Sequence, residues 1–383
     1  MASPGIAPIS ISLEPSTGSG SVATQALLAA MLRAREGVSD LIFSPGRLPQ
    51  VEVNGELLAM EAPGLRLMTA DDTRRIASDL IGNNKQAITM LREHGSCDIS
   101  YGLSGLARFR VNVFIQRGSC AVVMRAIPTT IPNFAALGLP AHLSEIASLQ
   151  DGIVLVTGPR GSGKSSTLAA LLDCINERQT AHIITIEDPI EFLHNHKRST
   201  VHQRELHSDA SSFALAMRAA LRQAPKVILV GELRDRDTME MAMEAAETGH
   251  LVLSSLNSVD TTKTVERVVS TFAPAEQASV RSRLAKTLRY AISQRLLPKK
   301  NGKGRVAAVE ILKVNARVME SLETYDHSGQ ALLKIMKASE PEGMRYFDGE
   351  IAKLVRDGVV DLESGIRHAS SPEEMGKAAE RES

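Results

Sequence analysis

The sequence predicts an α/β protein in which a smaller α+β domain precedes a larger domain with a mainly parallel sheet. Two observations support this prediction. From residue 152 onward, short apolar runs alternate with segments of helical spacing, which is typical of a parallel sheet covered by helices on both faces. Before residue 128, an Asn-Gly turn and a long run of alternating apolar and polar residues indicate hairpins instead.

The smaller domain is predicted to span residues 21–128, after a disordered lead over residues 1–20 that is rich in Ser, Gly and Pro. Its elements in chain order are a helix, a hairpin, two helices and a group of strands, at residues 24–37, 51–60, 70–81, 84–94 and 105–127. The three prolines within residues 128–143 then predict a linker over residues 129–147.

The larger domain is predicted to span residues 148–370, followed by a polar tail over residues 371–383. Its alternating strands and helices are expected at residues 152–157, 164–177, 182–186, 211–223, 227–231, 237–248 and 251–256. Residues 262–370 are predicted to be mostly helical, with one strand at residues 305–312.

The composition narrows the classes of protein to consider. Lys and Arg number 44, as do Asp and Glu, so the formal net charge is zero and no nucleic-acid partner is predicted. Cys97, Cys120 and Cys174 lie far apart without a CxxC pair, which favours reduced thiols over a disulfide framework or a tetrathiolate zinc site. No signal peptide or membrane-spanning apolar run is visible, so we expect a cytoplasmic protein that reaches a membrane only through partners.

One motif predicts nucleotide binding. Gly158-x4-Gly163-Lys164-Ser165 follows an apolar strand and opens a helix, so backbone N–H groups and the helix N-terminus can surround phosphate oxygens. Lys164 is predicted to reach the β and γ phosphates of ATP, and the Ser165 hydroxyl to bind Mg²⁺. The predicted nucleotide-binding residues of this loop are Gly158, Pro159, Arg160, Gly161, Ser162, Gly163, Lys164, Ser165 and Ser166.

Three further segments suggest what is done with the nucleotide. They are the acidic residues 185–192, the strand and Glu232 of residues 227–235, and residues 245–255 with His250. Carboxylates at strand ends near a P-loop are where magnesium and an attacking water are handled, and Glu232 is predicted to end a strand directly beside the P-loop strand. Taken singly, the acids could be turn formers and the histidine structural; their order beside a P-loop favours function.

Together these motifs resemble the secretion ATPases of type IV pili, in particular the PilT- and PilU-like retraction ATPases. Residues 185–192, 227–235 and 245–257 are similar to that family's Asp box, Walker B segment and His box, and the resemblance runs from about residue 24 to residue 365. It implies a RecA-like P-loop ATPase core preceded by a PAS-like domain. Assembly ATPases of the same superfamily carry a longer N-terminal region and a four-cysteine metal site, and their absence favours the retraction branch.

The resemblance also implies roles for individual residues. Glu191 becomes the candidate catalytic carboxylate that polarises water, with Glu187 and Asp188 arranging the box. Glu232 would act on Mg²⁺ through water, and His250 would sense the γ-phosphate. The family works as a hexameric ring with nucleotide between subunits. Arginines of the first domain could therefore neutralise transition-state charge, and the candidates are Arg108, Arg110 and Arg125.

The implied function is ATP hydrolysis that powers or assists pilus retraction, and hence twitching motility. Implied partners are further copies of the chain, with or without a paralogous retraction ATPase, and an inner-membrane platform protein. Three departures from the family pattern point to an accessory motor. Lys226 stands where relatives place an acid, and Asn257 stands where the His box ends in histidine. The C-terminal signature that the family needs for retraction is degraded at residues 315–323. The alternatives are an ATP-binding regulatory ring subunit with weak hydrolysis and a type II/IV secretion traffic ATPase.

Overall fold

The computed structural model describes residues 9–11, 23–53, 55–63, 65–324, 329–373 and 375. The chain divides into two compact units, Met1–Thr129 and Thr130–Ser383, so the division falls one residue after the predicted end of the first domain. The predicted α/β fold class is confirmed, with a seven-stranded sheet in each unit.

The described residues of the first unit form a largely antiparallel sheet with three helices. Its strands are β1 Ile9–Ser10, β2 Val38–Phe43, β3 Gln50–Val53, β4 Glu56–Glu61, β5 Ser96–Leu103, β6 Ala107–Gln116 and β7 Ser119–Ala126, in the order β1-β4-β3-β2-β7-β6-β5. Its helices are α1 Thr24–Arg33, α2 Ala70–Ile81 and α3 Lys85–His94. Alternation places Phe109, Val111 and Val113 of β6 in the buried core, as the sequence pattern predicts.

Two local predictions for this unit need correction. The lead is not disordered throughout, because β1 pairs in parallel with β4 and Ile11 is buried in the core. Residues 1–8 and 12–22 lie outside the described residues, as does Asn54 of the predicted hairpin turn. The first helix ends at Arg33, and strand β2 follows it; the sequence analysis did not predict this strand.

The second unit is built on a mainly parallel sheet. Its strands are β8 Gly152–Thr157, β9 His182–Glu187, β10 Thr200–Glu205, β11 Val227–Val230, β12 Leu251–Leu256, β13 Leu288–Pro298 and β14 Arg305–Lys313, in the order β10-β9-β11-β12-β8-β13-β14. Its helices are α4 Lys164–Arg178, α5 Phe213–Ala220, α6 Arg236–Glu247, α7 Thr261–Ser270, α8 Gln277–Thr287, α9 Ala316–Thr324, α10 Gln330–Ala338, α11 Phe347–Arg356 and α12 Leu362–His368.

This sheet is buried on both faces, as its continuous apolar strands predict. All six residues of β8 are buried, and they alternate between two cores: Ile153 and Leu155 face one, Val154 and Val156 the other. The second core also receives the predicted apolar face of α4, at Leu168, Leu171, Leu172 and Ile175. The strand that leads into the P-loop is therefore held rigidly from both sides.

Three predictions for the second unit are wrong in part. Residues 288–298 form strand β13, although residues 262–370 were expected to be mostly helical with one strand at residues 305–312. The predicted linker is not a free connector, because a 3₁₀ helix at Ala141–Ser148 buries Leu143 and Ile146 in a core of the second unit. The polar tail is not wholly exposed either, since Met375 packs against the C-terminal helices; residue 374 and residues 376–383 lie outside the described residues.

In the described ranges, no helix is long and apolar enough to cross a bilayer. Residues 315–323, where the retraction signature is degraded, lie almost entirely within α9. Asn315 caps the start of this helix by accepting a hydrogen bond from the N–H of Val318, and Val318 and Leu322 are buried.

Candidate nucleotide site

The P-loop occupies residues 158–163, between β8 and α4. Gly158 has φ +144°, and a Cβ there would lie 2.4 Å from Ser162 Oγ and 2.5 Å from the Gln294 carbonyl oxygen, so only glycine fits. Gly163 is left-handed at the start of α4 and supplies no side-chain cap. The N–H groups of the first helical turn, which includes Ser165 and Ser166, are therefore not capped by the residue before them and favour an anion.

Lys164 is held close to the loop from which it projects. Its Nζ donates hydrogen bonds to the carbonyl oxygens of Gly158 at 2.9 Å and Pro159 at 3.0 Å, and to Asn257 Oδ1 at 2.8 Å. Burial lowers the pKa of Lys164 from its usual value, and the carboxylates of Glu232 and Glu191 counteract this effect. The predicted phosphate-binding cation is thus gathered with both predicted carboxylates at one site.

Strand order explains how Asn257 reaches this site. The prediction that the Walker B strand lies directly beside the P-loop strand is wrong, because β12 lies between β8 and β11. Leu256 pairs with Thr157, so the segment after β12 emerges between the P-loop on one side and Glu232 on the other. The Ser255 hydroxyl of β12 donates a 2.6 Å hydrogen bond to the carbonyl oxygen of Gly231, the residue before Glu232.

Asn257 bridges the two nucleotide motifs. Its Oδ1 accepts from Lys164, and its Nδ2 donates to Glu232 Oε1 at 2.5 Å. An ammonium can only donate and a carboxylate can only accept, so these neighbours fix the orientation of the amide. The residue that departs from the family pattern therefore forms a direct link between the P-loop lysine and the Walker B glutamate.

Arg234 completes the Walker B side of the site, and the sequence analysis did not select it. Its Nε donates to Glu232 Oε2 at 2.7 Å, and its Nη1 lies 3.5 Å from Asp188 Oδ2. Both carboxylate oxygens of Glu232 are thus held by side chains, Asn257 and Arg234. The sequence signal was present in the GELRD run of residues 231–235, where an arginine two residues after the glutamate can fold back onto it.

The two glutamates of the Asp box have different surroundings. Glu187 Oε1 accepts from Thr185 Oγ1 at 2.6 Å and from Gln203 Nε2 at 3.1 Å. Burial raises the pKa of Glu187 to about 6, against the lowering effect of these hydrogen bonds. Glu191 is exposed, and its charge acts on Lys164. The Glu187 side chain is therefore fixed by hydrogen bonds, whereas the Glu191 carboxylate is accessible to a water molecule.

The raised pKa of Glu187 predicts a pH-dependent stability. An unfolded glutamate ionises near pH 4.5, but the folded one does so only near pH 6, so rising pH through this window favours the unfolded state by up to about 2 kcal/mol. We expect Glu187→Gln to be more resistant to urea than wild type at pH 7.5, with no gain at pH 4. The exposed Glu363→Gln is a control that should show no such pH step; an equal gain for Glu187→Gln at both pH values would contradict the assignment.

His250 does not lie at the P-loop of its own chain. It precedes β12, and its carbonyl oxygen accepts from the Gly152 N–H at the start of β8. The six residues of β12 separate it from Asn257, which is about 20 Å along a strand. The prediction that His250 senses the γ-phosphate is therefore wrong within one chain. Lys226, just before β11, lies at the same far edge, so it is not close to Asn257.

The three candidate arginines share one face of the first unit's sheet. Arg110 and Arg125 are directly opposed on β6 and β7, and Arg108 lies two residues before Arg110. Two acids compensate the opposed charges: Asp40 Oδ1 accepts from Arg125 Nε at 2.9 Å, and Asp98 lies 4.0 Å from Arg110. The arginines are thus brought together, and their action on nucleotide remains a prediction.

A prediction for Asn257 follows from its position. A histidine there can carry a charge and donate toward the γ-phosphate, whereas asparagine offers only a neutral donor. We expect slow ATP turnover by the wild-type chain and a several-fold gain in kcat for Asn257→His, measured by steady-state phosphate release. Vigorous wild-type turnover that the substitution leaves unchanged or lowers would mean that asparagine is an adapted choice.

Comparison with known proteins supports the motif assignment. Residues 95–347 match the family described as Type II/IV secretion system protein. The type IV pilus retraction ATPase PilT of Pseudomonas aeruginosa is 40% identical over 340 residues, covering 89% of this chain and 96% of that protein. The type IV pilus ATPase PilU of the same organism is 35% identical over 347 residues, covering 90% and 88%.

The same likeness holds in three dimensions. A crystal structure of the pilus retraction motor PilT with bound ADP is 38% identical to this chain. It matches with a TM-score of 0.82 over 92% of this chain and 98% of that one. The resemblance predicted from the motifs is thereby confirmed, and the chain belongs to the family of type II/IV secretion system ATPases that includes the pilus retraction motors.

Proposed function

We propose that this chain is an ATP hydrolase of the type IV pilus system that powers or assists pilus retraction. The observation that carries the proposal is the continuous contact from the P-loop through Lys164 and Asn257 to Glu232. Such a contact places the cation that binds phosphate beside the carboxylate that handles magnesium. Support comes from relatives named for pilus retraction and twitching motility, which cover 85% or more of the chain.

The P-loop contains polar groups that have no hydrogen-bond partner among the described residues and that ATP could satisfy. Ser162 is only 3% exposed, and its Oγ has no hydrogen-bond partner among the described residues. The uncapped first turn of α4 offers N–H groups beside it. Buried polar groups ordinarily have partners, so donors left open around a glycine loop fit a phosphate chain.

The residues also fit Mg²⁺ as a cofactor. No cluster of three or more His, Cys, Asp or Glu side chains that could hold a metal occurs in the described ranges. Mg²⁺ needs no such cage, because it takes one or two protein ligands and completes its shell with phosphate oxygens and water. Ser165 would supply the direct ligand, and Glu232, held by Asn257 and Arg234, would act through water. Bound there, Mg²⁺ would neutralise charge on the β and γ phosphates.

In the proposed reaction, the chain supplies position and charge. Lys164 exchanges its hydrogen bonds to the loop carbonyls for phosphate oxygens as ATP enters. Glu191 orients the attacking water and accepts its proton, while Glu187 holds the loop that carries Glu191. Arg108, Arg110 and Arg125 of the first unit supply charge to the transition state within a ring. Together these residues position the attacking water and stabilise the negative charge of the phosphoryl group in the transition state.

A cleft beside the P-loop is suited to the base and ribose of the nucleotide. It has a volume of about 600 Å³ and is lined by Arg160 and Ser162 of the loop, Leu296, Arg305 and His368. The exposed guanidinium planes of Arg160 and Arg305 can stack on a purine. The volume lies within the range of small-molecule sites, which is roughly 300–1,000 Å³.

The proposed working unit is a homo-hexamer, mixed or unmixed with a paralogous retraction ATPase. It would act in the cytoplasm and meet the inner membrane only through a platform protein of the pilus machine. Light scattering of the purified full chain with ATP and Mg²⁺ should give the mass of six copies. A monomer that hydrolyses ATP at full rate would rule out a ring with shared sites.

The function is tested in the organism that carries the chain. Replacing the chromosomal copy with a Lys164→Ala variant should lower twitching and raise the number of surface pili, because extension continues without retraction. A strain carrying Lys197→Ala, which alters a lysine paired with Asp173 and Glu177 of α4, is the matched control. Unchanged twitching and pilus number in the Lys164→Ala strain would exclude a role in retraction and favour the secretion traffic alternative.

A further inference from the structure

Four hydroxyl side chains form a continuous hydrogen-bonded line beneath the P-loop. Ser293 of β13 lies 2.6 Å from Thr157 at the end of β8, and Thr157 lies 3.1 Å from Thr264 of α7. Thr264 in turn lies 2.6 Å from Ser258, after β12. Ser293, Thr157 and Thr264 are fully buried. Such a line in the core is costly unless each group is satisfied, so its geometry is specific.

Thr264 is the junction of this line, because its hydroxyl contacts three oxygen atoms. Its oxygen lies 2.7 Å from the Asp260 carbonyl oxygen, which can only accept. The Thr264 hydroxyl therefore donates toward both the Asp260 carbonyl oxygen and the Thr157 hydroxyl oxygen, and its own oxygen is free to accept from Ser258. Removing this hydroxyl would take away one hydrogen-bond partner from each of Thr157 and Ser258.

The line connects positions that matter for the nucleotide site. Thr157 immediately precedes Gly158, the first residue of the P-loop, and Ser258 immediately follows Asn257. Helix α7 is anchored independently, because Glu310 accepts from the N–H of Thr261 at 2.7 Å and from its hydroxyl at 2.8 Å. Thr264 thus fixes the segment that carries Asn257 relative to the base of the P-loop.

We infer that Thr264 is a positioning residue for ATP hydrolysis, which sets Asn257 between Lys164 and Glu232 through the hydroxyl line from Thr157 to Ser258. This inference rests on the proposed ATPase function and deepens it. Thr264 is remote from the amide itself and acts through Thr157 and Ser258. A small displacement of Asn257 would loosen the bridge without removing any group that binds phosphate, so turnover should suffer more than nucleotide affinity.

The test compares Thr264→Val, Thr264→Ser and the control Thr287→Val in the full-length protein. Thr287 is also buried, but its hydroxyl donates to the Arg283 carbonyl oxygen within its own helix. Thr264→Val should lower kcat about tenfold. Its dissociation constant for a fluorescent ATP analogue should stay within about threefold. Thr264→Ser, which keeps the hydroxyl, should retain most of the wild-type kcat. Thr287→Val, which also removes a buried threonine hydroxyl, should retain most of it as well.

A double-mutant cycle separates positioning from general destabilisation. In an Asn257→Ala background, Thr264→Val should produce little further loss of kcat, because the residue that it positions is already gone. A kcat for Thr264→Val equal to that of Thr287→Val, failure of Thr264→Ser to restore turnover, or fully additive losses with Asn257→Ala would overturn the inference. Absence of ATP hydrolysis by the wild-type chain would instead overturn the proposed function, so the two failures are distinguishable.

Discussion

Lys164→Ala is expected to abolish ATP turnover, with a loss of at least about 10³ in kcat, comparable to removal of a key charge-stabilising donor. Lys164 is the only lysine in the loop of residues 158–166, and it is gathered with Asn257 and with the charges of Glu232 and Glu191. In phosphoryl transfer, positioning and charge stabilisation supply almost all of the catalysis. Steady-state phosphate release by the purified full chain provides the measurement.

The control for this prediction is Lys197→Ala. Lys197 forms ion pairs with Asp173 and Glu177 of α4, the helix that begins with Lys164. Lys197→Ala therefore removes a lysine that contacts α4 and leaves the phosphate site unchanged. The control should retain most of the wild-type rate. Equal rates for Lys164→Ala and wild type would refute the P-loop assignment.

Glu191→Gln is expected to lower kcat by about 10²–10⁴, the range for loss of a general base, while ATP affinity changes little. The structure separates this residue from its neighbour in the Asp box. Glu191 is exposed and acts electrostatically on Lys164, whereas Glu187 accepts hydrogen bonds from Thr185 and Gln203. Only a carboxylate open to water can orient the nucleophile.

The matched variant is Glu187→Gln, whose amide oxygen can keep the hydrogen bonds from Thr185 and Gln203. It should lose much less kcat than Glu191→Gln. Single-turnover hydrolysis separates the chemical step from product release for both variants. If Glu187→Gln were inactive and Glu191→Gln were near wild type, the carboxylate roles would have to be exchanged.

Sequence could predict the phosphate loop because its chemistry is local. Gly158, Gly163 and Lys164 act through residues that are close together in the chain, and the strand before them and the helix after them have clear apolar patterns. The first unit's division from the second was also visible, because the pattern changes from hairpins to alternating strands and helices. These features need no knowledge of long-range pairing.

Long-range pairing is the reason why other features were missed. The order of strands in a parallel sheet does not follow the chain, so the position of β12 between β8 and β11 could not be derived from spacing. That order brings Asn257 between Lys164 and Glu232, whereas His250 lies at the far edge because it precedes β12. Strand β13 was missed because Leu288, Ile292 and Leu296 have helical spacing, and its pairing with β8 and β14 outweighs that local preference.

The contacts of Glu187 and Glu232 likewise depend on distant partners. Gln203 reaches Glu187 from the neighbouring strand β10, which was not predicted, and Asn257 reaches Glu232 from the segment after β12. The sequence of residues 185–192 alone therefore could not show that Glu187 is held by hydrogen bonds while Glu191 is exposed to solvent.

The central claim is that this chain hydrolyses ATP with the site formed by Lys164, Asn257 and Glu232. It is tested most directly by single-turnover hydrolysis, with the full-length protein in excess over labelled ATP. The account predicts conversion to ADP and phosphate with Mg²⁺, even if slowly, and none when EDTA removes the metal. ATP that binds in the presence of Mg²⁺ yet stays intact over hours would contradict it and leave an ATP-binding ring subunit without catalysis.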